Sequence, residues 1–385
     1  MLVGAASHQP QTAWEPQDPR SSALEQLLCG VGSHALVEAA RFHKLGHQLL
    51  VHGGPLLRQV PFVHDGLQTM RAQAVIAELL VVADLGLLAP VLDANSPGWL
   101  VLKGAALGAS VYGSPVERPA GDLDVLVHPH DFPRVVVALE GIGAQVVDRN
   151  WKLLVEEARG QLHLVLPHGS LLDLHWHVLN REVVRHDFDI RTEDLLAAGV
   201  PLTIGATAVR TLDPVHTVLH LGLHGAMSGG HRVGWLMDVD RALRLLRPDP
   251  ARLLAEATSW RARAAIGCIL WRANRFLATP MDPSLVQQLA PRSTRAMALA
   301  LQRLDPVGGR ADDSGPTSWW TPTLRDRGSQ HLSPRIRRQL GVGRALARVR
   351  QADSPAPSAF ETSPGVGRED YFDLVMERPR QPTSH

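Results

Sequence analysis

The run Leu102-Lys103-Gly104-Ala105, followed after Arg118-Pro119-Ala120-Gly121 by Asp122-Leu123-Asp124-Val125-Leu126-Val127, decides how this chain folds. Ahead of it, Trp99-Leu100-Val101-Leu102 is a short apolar stretch behind Pro97-Gly98, and it passes through Lys103-Gly104 into an Ala-rich segment ending near Tyr112. That order predicts strand, turn, helix. The second run reads as a strand closed by Pro129, and a period of two puts Asp122 and Asp124 on one face with Leu123, Val125 and Val127 on the other. Working outward, a helix is expected from Phe132 to Glu140 and a strand around Ala144 to Val147. Leu162 to Leu166 and Leu171 to Val178 then alternate around His168-Gly169, which predicts an antiparallel hairpin.

Apolar residues recur at helical spacing from Ser21 to Gln48 and again from Phe62 to Leu88, with a break at Gly53-Gly54-Pro55. Asp213-Pro214 supplies an N-cap followed by proline at the first helical position, and helical periodicity continues to Leu304. The expected organisation is a flexible lead-in over 1–20, an N-terminal helical region over 21–96, a core domain over 97–212, a C-terminal helical domain over 213–305 and a Pro/Gly/Arg-rich, mostly flexible tail over 306–385. Within that tail, Arg335, Arg337, Arg338, Arg344, Arg348 and Arg350 mark a short basic helix between Ser333 and Arg350. The fold class is therefore α+β: a mixed sheet with flanking helices, plus N- and C-terminal helical regions.

Bulk properties narrow the function classes. Hydrophobic residues make up 45% and charged residues 20%, which excludes collagen, a coiled coil and a wholly disordered chain. A net charge of +1 gives no whole-molecule field to draw in nucleic acid or anionic lipid, so neither nucleic acid nor membrane is an expected partner. Cys29 and Cys268 are too few for a disulfide framework or a Cys-rich zinc site. The most apolar stretch, Leu79 to Leu92, is interrupted by Asp84 and Pro90 and falls short of the roughly 18 clean residues of a membrane span. The first residues lack the basic start and apolar core of a signal peptide, so the expected compartment is the cytoplasm.

Two carboxylates sharing a face repel each other, and a hard divalent cation removes that cost; Mg2+ prefers one or two carboxylates together with substrate phosphates. A glycine turn entering a helix just upstream offers close backbone approach and free N–H groups, which makes Gly104 and Ala105 candidates for phosphate contact. A third acid, Asp173, shares one strand face with His175 and His177, opposite Leu172, Leu174 and Trp176. If that strand lies beside the Asp122/Asp124 strand, Asp122, Asp124 and Asp173 converge as metal ligands, with Asp173 the candidate general base. Lys103 stands out because the other lysines are Lys44 and Lys152, and a compact ammonium suits a phosphate. Phosphate contact is expected of Lys103 or Arg118, although Lys103 pairing with a carboxylate and Arg118 bracing the loop against Asp122 are equally open. His175 and His177 admit a zinc reading that lacks a third ligand at metal spacing. His216, His220 and His224 fall on one helix face and read as packing, and Asp238 reads as a buried hydrogen-bond acceptor.

Together these motifs resemble the DNA polymerase β-like nucleotidyltransferase superfamily, whose pattern is an apolar strand, a glycine turn, a helix, an Asp-x-Asp strand and a later third Asp. More narrowly, the chain looks like a bacterial nucleotidyltransferase family whose motif opens with Leu-Lys-Gly, here Leu102-Lys103-Gly104. It continues with Tyr112, Arg118-Pro119 and Gly121-Asp122-Leu123-Asp124, and closes with Asp173-Leu174-His175-Trp176. In the helical region it matches Leu219-His220 with His224, and Trp235-Leu236-Met237-Asp238. The resemblance implies transfer of a nucleoside monophosphate from an NTP to a small-molecule, peptide or protein acceptor, with release of pyrophosphate. Mg2+ is the implied cofactor, with Mn2+ as the alternative ion. Many superfamily members place Ser after the glycine where this chain has Ala105, which shifts the phosphate contact toward Lys103 or Arg118. Two other readings stay open: a nucleotide-binding module without turnover, and a protein-adenylylating, toxin–antitoxin-like factor.

Overall fold

Seven strands form one mixed sheet around β1 (Leu100–Leu102), whose three side chains are all buried. The computed structural model describes residues 32–113, 117–304, 306–309, 359–362 and 365–377, together with Glu25, Gln26 and Leu28. The other strands are β2 (Leu123–Leu126), β3 (Gln145–Val146), β4 (Gln161–Val165), β5 (Leu171–His175), β6 (Val200–Ile204) and β7 (Thr207–Thr211), and the spatial order is β3-β4-β5-β2-β1-β7-β6. β2 runs antiparallel to β1 and parallel to β5. β4 and β5 form the expected hairpin. The β6–β7 hairpin has no counterpart in the sequence reading: β6 carries Pro201, which argues against a strand except at a sheet edge, and β6 is an edge strand.

Strand alternation assigns the apolar residues to two cores, one on each sheet face. Leu100, Leu102 and Leu126 face one core, and Val101, Leu123, Val125, Leu172 and Leu174 the other. On the first face pack α1 (Ser33–Phe42), α2 (Gly46–Arg58) and the C-terminal helices, which begin with α9 (Pro214–Met227), α10 (Val233–Leu246), α11 (Pro250–Ser259) and α12 (Arg263–Leu277). These are followed by α13 (Pro283–Leu289) and α14 (Arg292–Leu304). The second half of α3 (Pro61–Asn95) and α5 (Phe132–Gly141) cover the second face. Between these elements lie α4 (Lys103–Ser110), α6 (Trp151–Glu156), α7 (Glu182–Arg185) and α8 (Thr192–Ala198).

Local chemistry explains several boundaries. The break expected at Gly53-Gly54-Pro55 is a kink within α2, with Gly54 at φ 35°, and the helix boundary falls before Pro61, which opens α3. At the start of α9 the Asp213 carboxylate accepts hydrogen bonds from the backbone N–H groups of Val215 and His216, as its Asp-Pro signature predicts. α3 continues through Pro90 for 35 residues, so the apolar run is longer than the sequence reading allowed. By length and composition this helix could cross a membrane. Here, however, its Asp84 is buried and accepts from the backbone N–H groups of His168 (2.9 Å) and Ser170 (3.0 Å), clamping the helix to the β4–β5 turn.

The basic helix expected between Ser333 and Arg350 lies outside the described residues. Within the segment read as a loose tail, α15 (Arg368–Glu377) docks in the second core through Tyr371, Phe372 and Val375.

Candidate active site

The chain passes from β1 into α4 with no intervening loop, and the corner residue Lys103 adopts φ +38°, a left-handed conformation that costs a non-glycine residue about 1 kcal/mol. That corner aims the Lys103 ammonium at Asp124, with Nζ 2.8 Å from Oδ1. Gly104 follows because the neighbouring loop closes on it: a Cβ there would lie 3.0 Å from Ala120 Cβ and 3.3 Å from the Asp122 carbonyl oxygen. Its open flank is thus filled by the chain itself. Gly104 and Ala105, read as phosphate contacts, are both buried, and Ala105 belongs to the second core.

Parallel pairing of β2 with β5 sets Asp124 beside Asp173 and Leu126 beside His175. Asp124, Asp173 and His175 each present a ligand atom within 4.8 Å of the others. His175 Nε2 is 3.0 Å from Asp124 Oδ1, the oxygen that also meets Lys103, so Oδ2 is the Asp124 oxygen left for a cation. Burial alone would push the Asp124 carboxyl up, but Lys103 and His175 outweigh it and hold the group well below the usual carboxylate range. The same contact raises the Lys103 ammonium against the opposing effect of burial. Asp173 behaves differently. Burial, aided by the charges of Asp124 and Asp122, raises its carboxyl despite the nearby His175 and His163. Asp173 Oδ1 is buried without a hydrogen-bond partner among the described residues, an orphaned acceptor of the kind a cation would satisfy.

Behind Asp173 stands a chain of polar groups that the sequence reading did not pick out. His163 Nδ1 lies 2.8 Å from Asp148 Oδ2, and His163 Nε2 lies 3.6 Å from Asp173 Oδ1. Burial would lower the His163 imidazole, but the Asp148 hydrogen bond and charge raise it. Alternation along β4 and the hairpin register place His163 opposite Asp173, the signal from which it was legible. His177, the other histidine of the zinc reading, is spent on the backbone: its Nε2 lies 3.0 Å from the Ile190 carbonyl oxygen, and its Nδ1 accepts from the Leu179 N–H. Burial and the Arg185 cation bring it down to about 3.

Asp122 is half-buried and lies outside the Asp124/Asp173/His175 group, but with Asp124 it lines a cavity of about 440 Å³. Lys44, Lys103, Arg118, His224, Ser228, Arg232 and Trp235 line the rest. Arg118 enters it already paired, with Nη2 2.8 Å and Nε 3.2 Å from the two carboxylate oxygens of Asp238, and Tyr112 donates to the same carboxylate at 2.7 Å. Tyr112, Arg118 and Asp238 therefore form one buried brace between the core loop and α10, and Arg118 braces against Asp238 rather than Asp122. Of the α9 histidines, His216 stacks on Trp260 and bonds Asp213, as packing would have it. His220 and His224 instead stand near Lys103. Burial, reinforced by that cation, brings His220 down to about 3 and His224 well below its usual range, so both are neutral imidazoles at pH 7.

A buried and a half-buried carboxylate on adjacent parallel strands, beside a cation-lined cavity, are equipped to hold a metal-bound polyphosphate. No curated protein matches the chain in sequence. A family model does match, over residues 31–278, a span holding both the acids on β2 and β5 and the cavity-lining helices, and the chain belongs to the family it describes, uncharacterised nucleotidyltransferase.

Proposed function

We propose that the protein is a divalent-metal-dependent enzyme of the DNA polymerase β-like type, moving a nucleoside monophosphate from an NTP to a small-molecule, peptide or protein acceptor. The observation that carries this reading is the parallel register that sets Asp124 beside Asp173, with Asp122 two residues away on the edge of the cavity. Asp122, Asp124 and Asp173 would hold Mg2+ or Mn2+, and the orphaned Asp173 Oδ1 together with the Asp124 and Asp173 carboxylates, which present oxygens within 4.8 Å of each other, fits a hard cation. Bound there, the metal would neutralise phosphate charge and polarise the transferred phosphoryl group.

The chain's own residues supply the rest. Asp173, whose carboxyl is raised, takes the proton of the acceptor hydroxyl as its oxygen attacks the α-phosphorus, while the bond to the pyrophosphate oxygen breaks. Gln161, whose Nε2 donates to Asp173 Oδ2 at 3.3 Å and meets His163 Nε2 at 3.0 Å, orients Asp173, with His163 held in turn by Asp148. Lys103 keeps Asp124 ionised. Incubating the protein with each labelled NTP, Mg2+ and acceptor pools tests the reading through pyrophosphate release. No release with any NTP, alongside tight NTP binding, would make the protein a binding module, an outcome to which the Lys103 ammonium on Asp124 lends weight. A labelled protein band would identify the acceptor as a protein.

A further inference from the structure

Lys44 comes from the turn between α1 and α2, far in sequence from the acids, yet it lines their cavity. The placement is built in. Gly234 on α10 admits the turn so closely that a Cβ there would lie 2.6 Å from the His43 carbonyl oxygen, and the Val233 N–H donates to His43 Nδ1 at 3.3 Å. Lys44 itself holds φ +56° as the left-handed residue that ends α1, a conformation cheaper for glycine, with its N–H bonded to the Arg41 carbonyl oxygen. In the same cavity the Arg232 guanidinium lies over the rings of Phe42 (4.2 Å) and Trp235 (4.9 Å), cation–π contacts that help hold it in place.

The charges in the cavity are not equally available. Lys103 is committed to Asp124, and Arg118 to Asp238. Lys44 makes no ion pair among the described residues. We infer that Lys44, with the ring-held Arg232 guanidinium lining the same cavity, receives the polyphosphate of a nucleoside triphosphate in the cavity edged by Asp122 and Asp124, an assignment resting on the nucleotidyl-transfer reading above. A compact ammonium and a planar guanidinium are the two groups suited to phosphate oxygens, and about 440 Å³ lies within the usual size of a ligand site. Electrostatics agree: burial and the Arg118 cation bring the Lys44 ammonium down to about 8, more than Asp122 and Asp238 restore, and Arg232 also lowers it. An anion in the cavity supplies the missing compensation.

Isothermal titration of the full chain with Mg2+, using a non-hydrolysable NTP and separately inorganic tripolyphosphate, tests the assignment. Lys44→Met should weaken both by at least tenfold, the effect of losing one charge-assisted contact. Lys44→Gly, which deletes the charge and relaxes the positive φ, should bind as weakly while melting no lower than the parent protein. Arg232→Met should weaken both probes as well. Parent-like NTP affinity in Lys44→Gly overturns the inference and leaves nucleotidyl transfer standing. Failure of the parent protein to bind either probe removes both.

Discussion

At the scale of single residues the acids differ in what surrounds them, and this separates two substitutions that look alike. Charge repulsion alone would have Asp122→Asn and Asp124→Asn both leave the fold undisturbed. The Lys103 contact reverses that for Asp124, because asparagine leaves a buried ammonium unpaired, a loss of about 3 kcal/mol. Both variants should lose metal-dependent turnover, but only Asp124→Asn should melt well below the parent protein, as read by thermal denaturation. Equal melting temperatures for the two would show that the pair does not carry this energy. Adding Lys103→Met to Asp124→Asn should recover much of the lost stability.

Among the elements, α9 and α10 carry the sharpest expectations. Burial works against ionisation of Asp213, but hydrogen bonds from His216, Arg252 and the Val215 N–H hold it at about 2. Its folded value lies below the unfolded one of about 3.9, so its contribution is fully present above that pH and lost as pH falls through about 2. Asp213→Ala should therefore cost about 2 kcal/mol at neutral pH by removing a buried cap, and the difference from the parent protein should shrink between about pH 4 and 2. Urea titrations across that range give the measurement. At the other helix, Gly234→Ala would drive a methyl against the His43 carbonyl oxygen, costing about 2 kcal/mol and moving Lys44 and Arg232 apart. Lower stability together with weakened NTP binding is expected, and intact binding would show that the α10 contact does not position Lys44.

Across the whole molecule, the stabilising contacts extend past the span the family model matches. Tyr371 on α15 is fully buried, donates to the Arg159 carbonyl oxygen at 2.7 Å and accepts from the Trp176 indole N–H at 3.1 Å. Arg368 forms a two-pronged ion pair with Glu140 on α5. Tyr371→Ala should cost about 4 kcal/mol, and ending the chain at residue 358 should lower the melting temperature further, although residues 31–278 alone match the family. A truncated chain as stable as the full one would show that α15 adds nothing to the second core.

Much of this architecture was written locally. Strand period placed Leu123 and Val125 together in a core and Asp124 on the other face, the Asp213-Pro214 cap opened α9, and His168-Gly169 turned the β4–β5 hairpin. Each rests on interactions between residues a few positions apart, which a linear string displays directly. Pro201 hid the edge strand β6 because tolerance for proline depends on whether a neighbour strand exists, a property of the sheet rather than of the segment. The pairing of charges was likewise beyond local reading. That Lys103 meets Asp124 and Arg118 meets Asp238, 120 positions away, and that Lys44 reaches the cavity at all, follows from sheet order and from α10 closing on the His43-Lys44 turn. Composition and spacing named the acids and cations of this protein; only packing between distant segments decided which cation neutralises an acid and which is left to face a ligand.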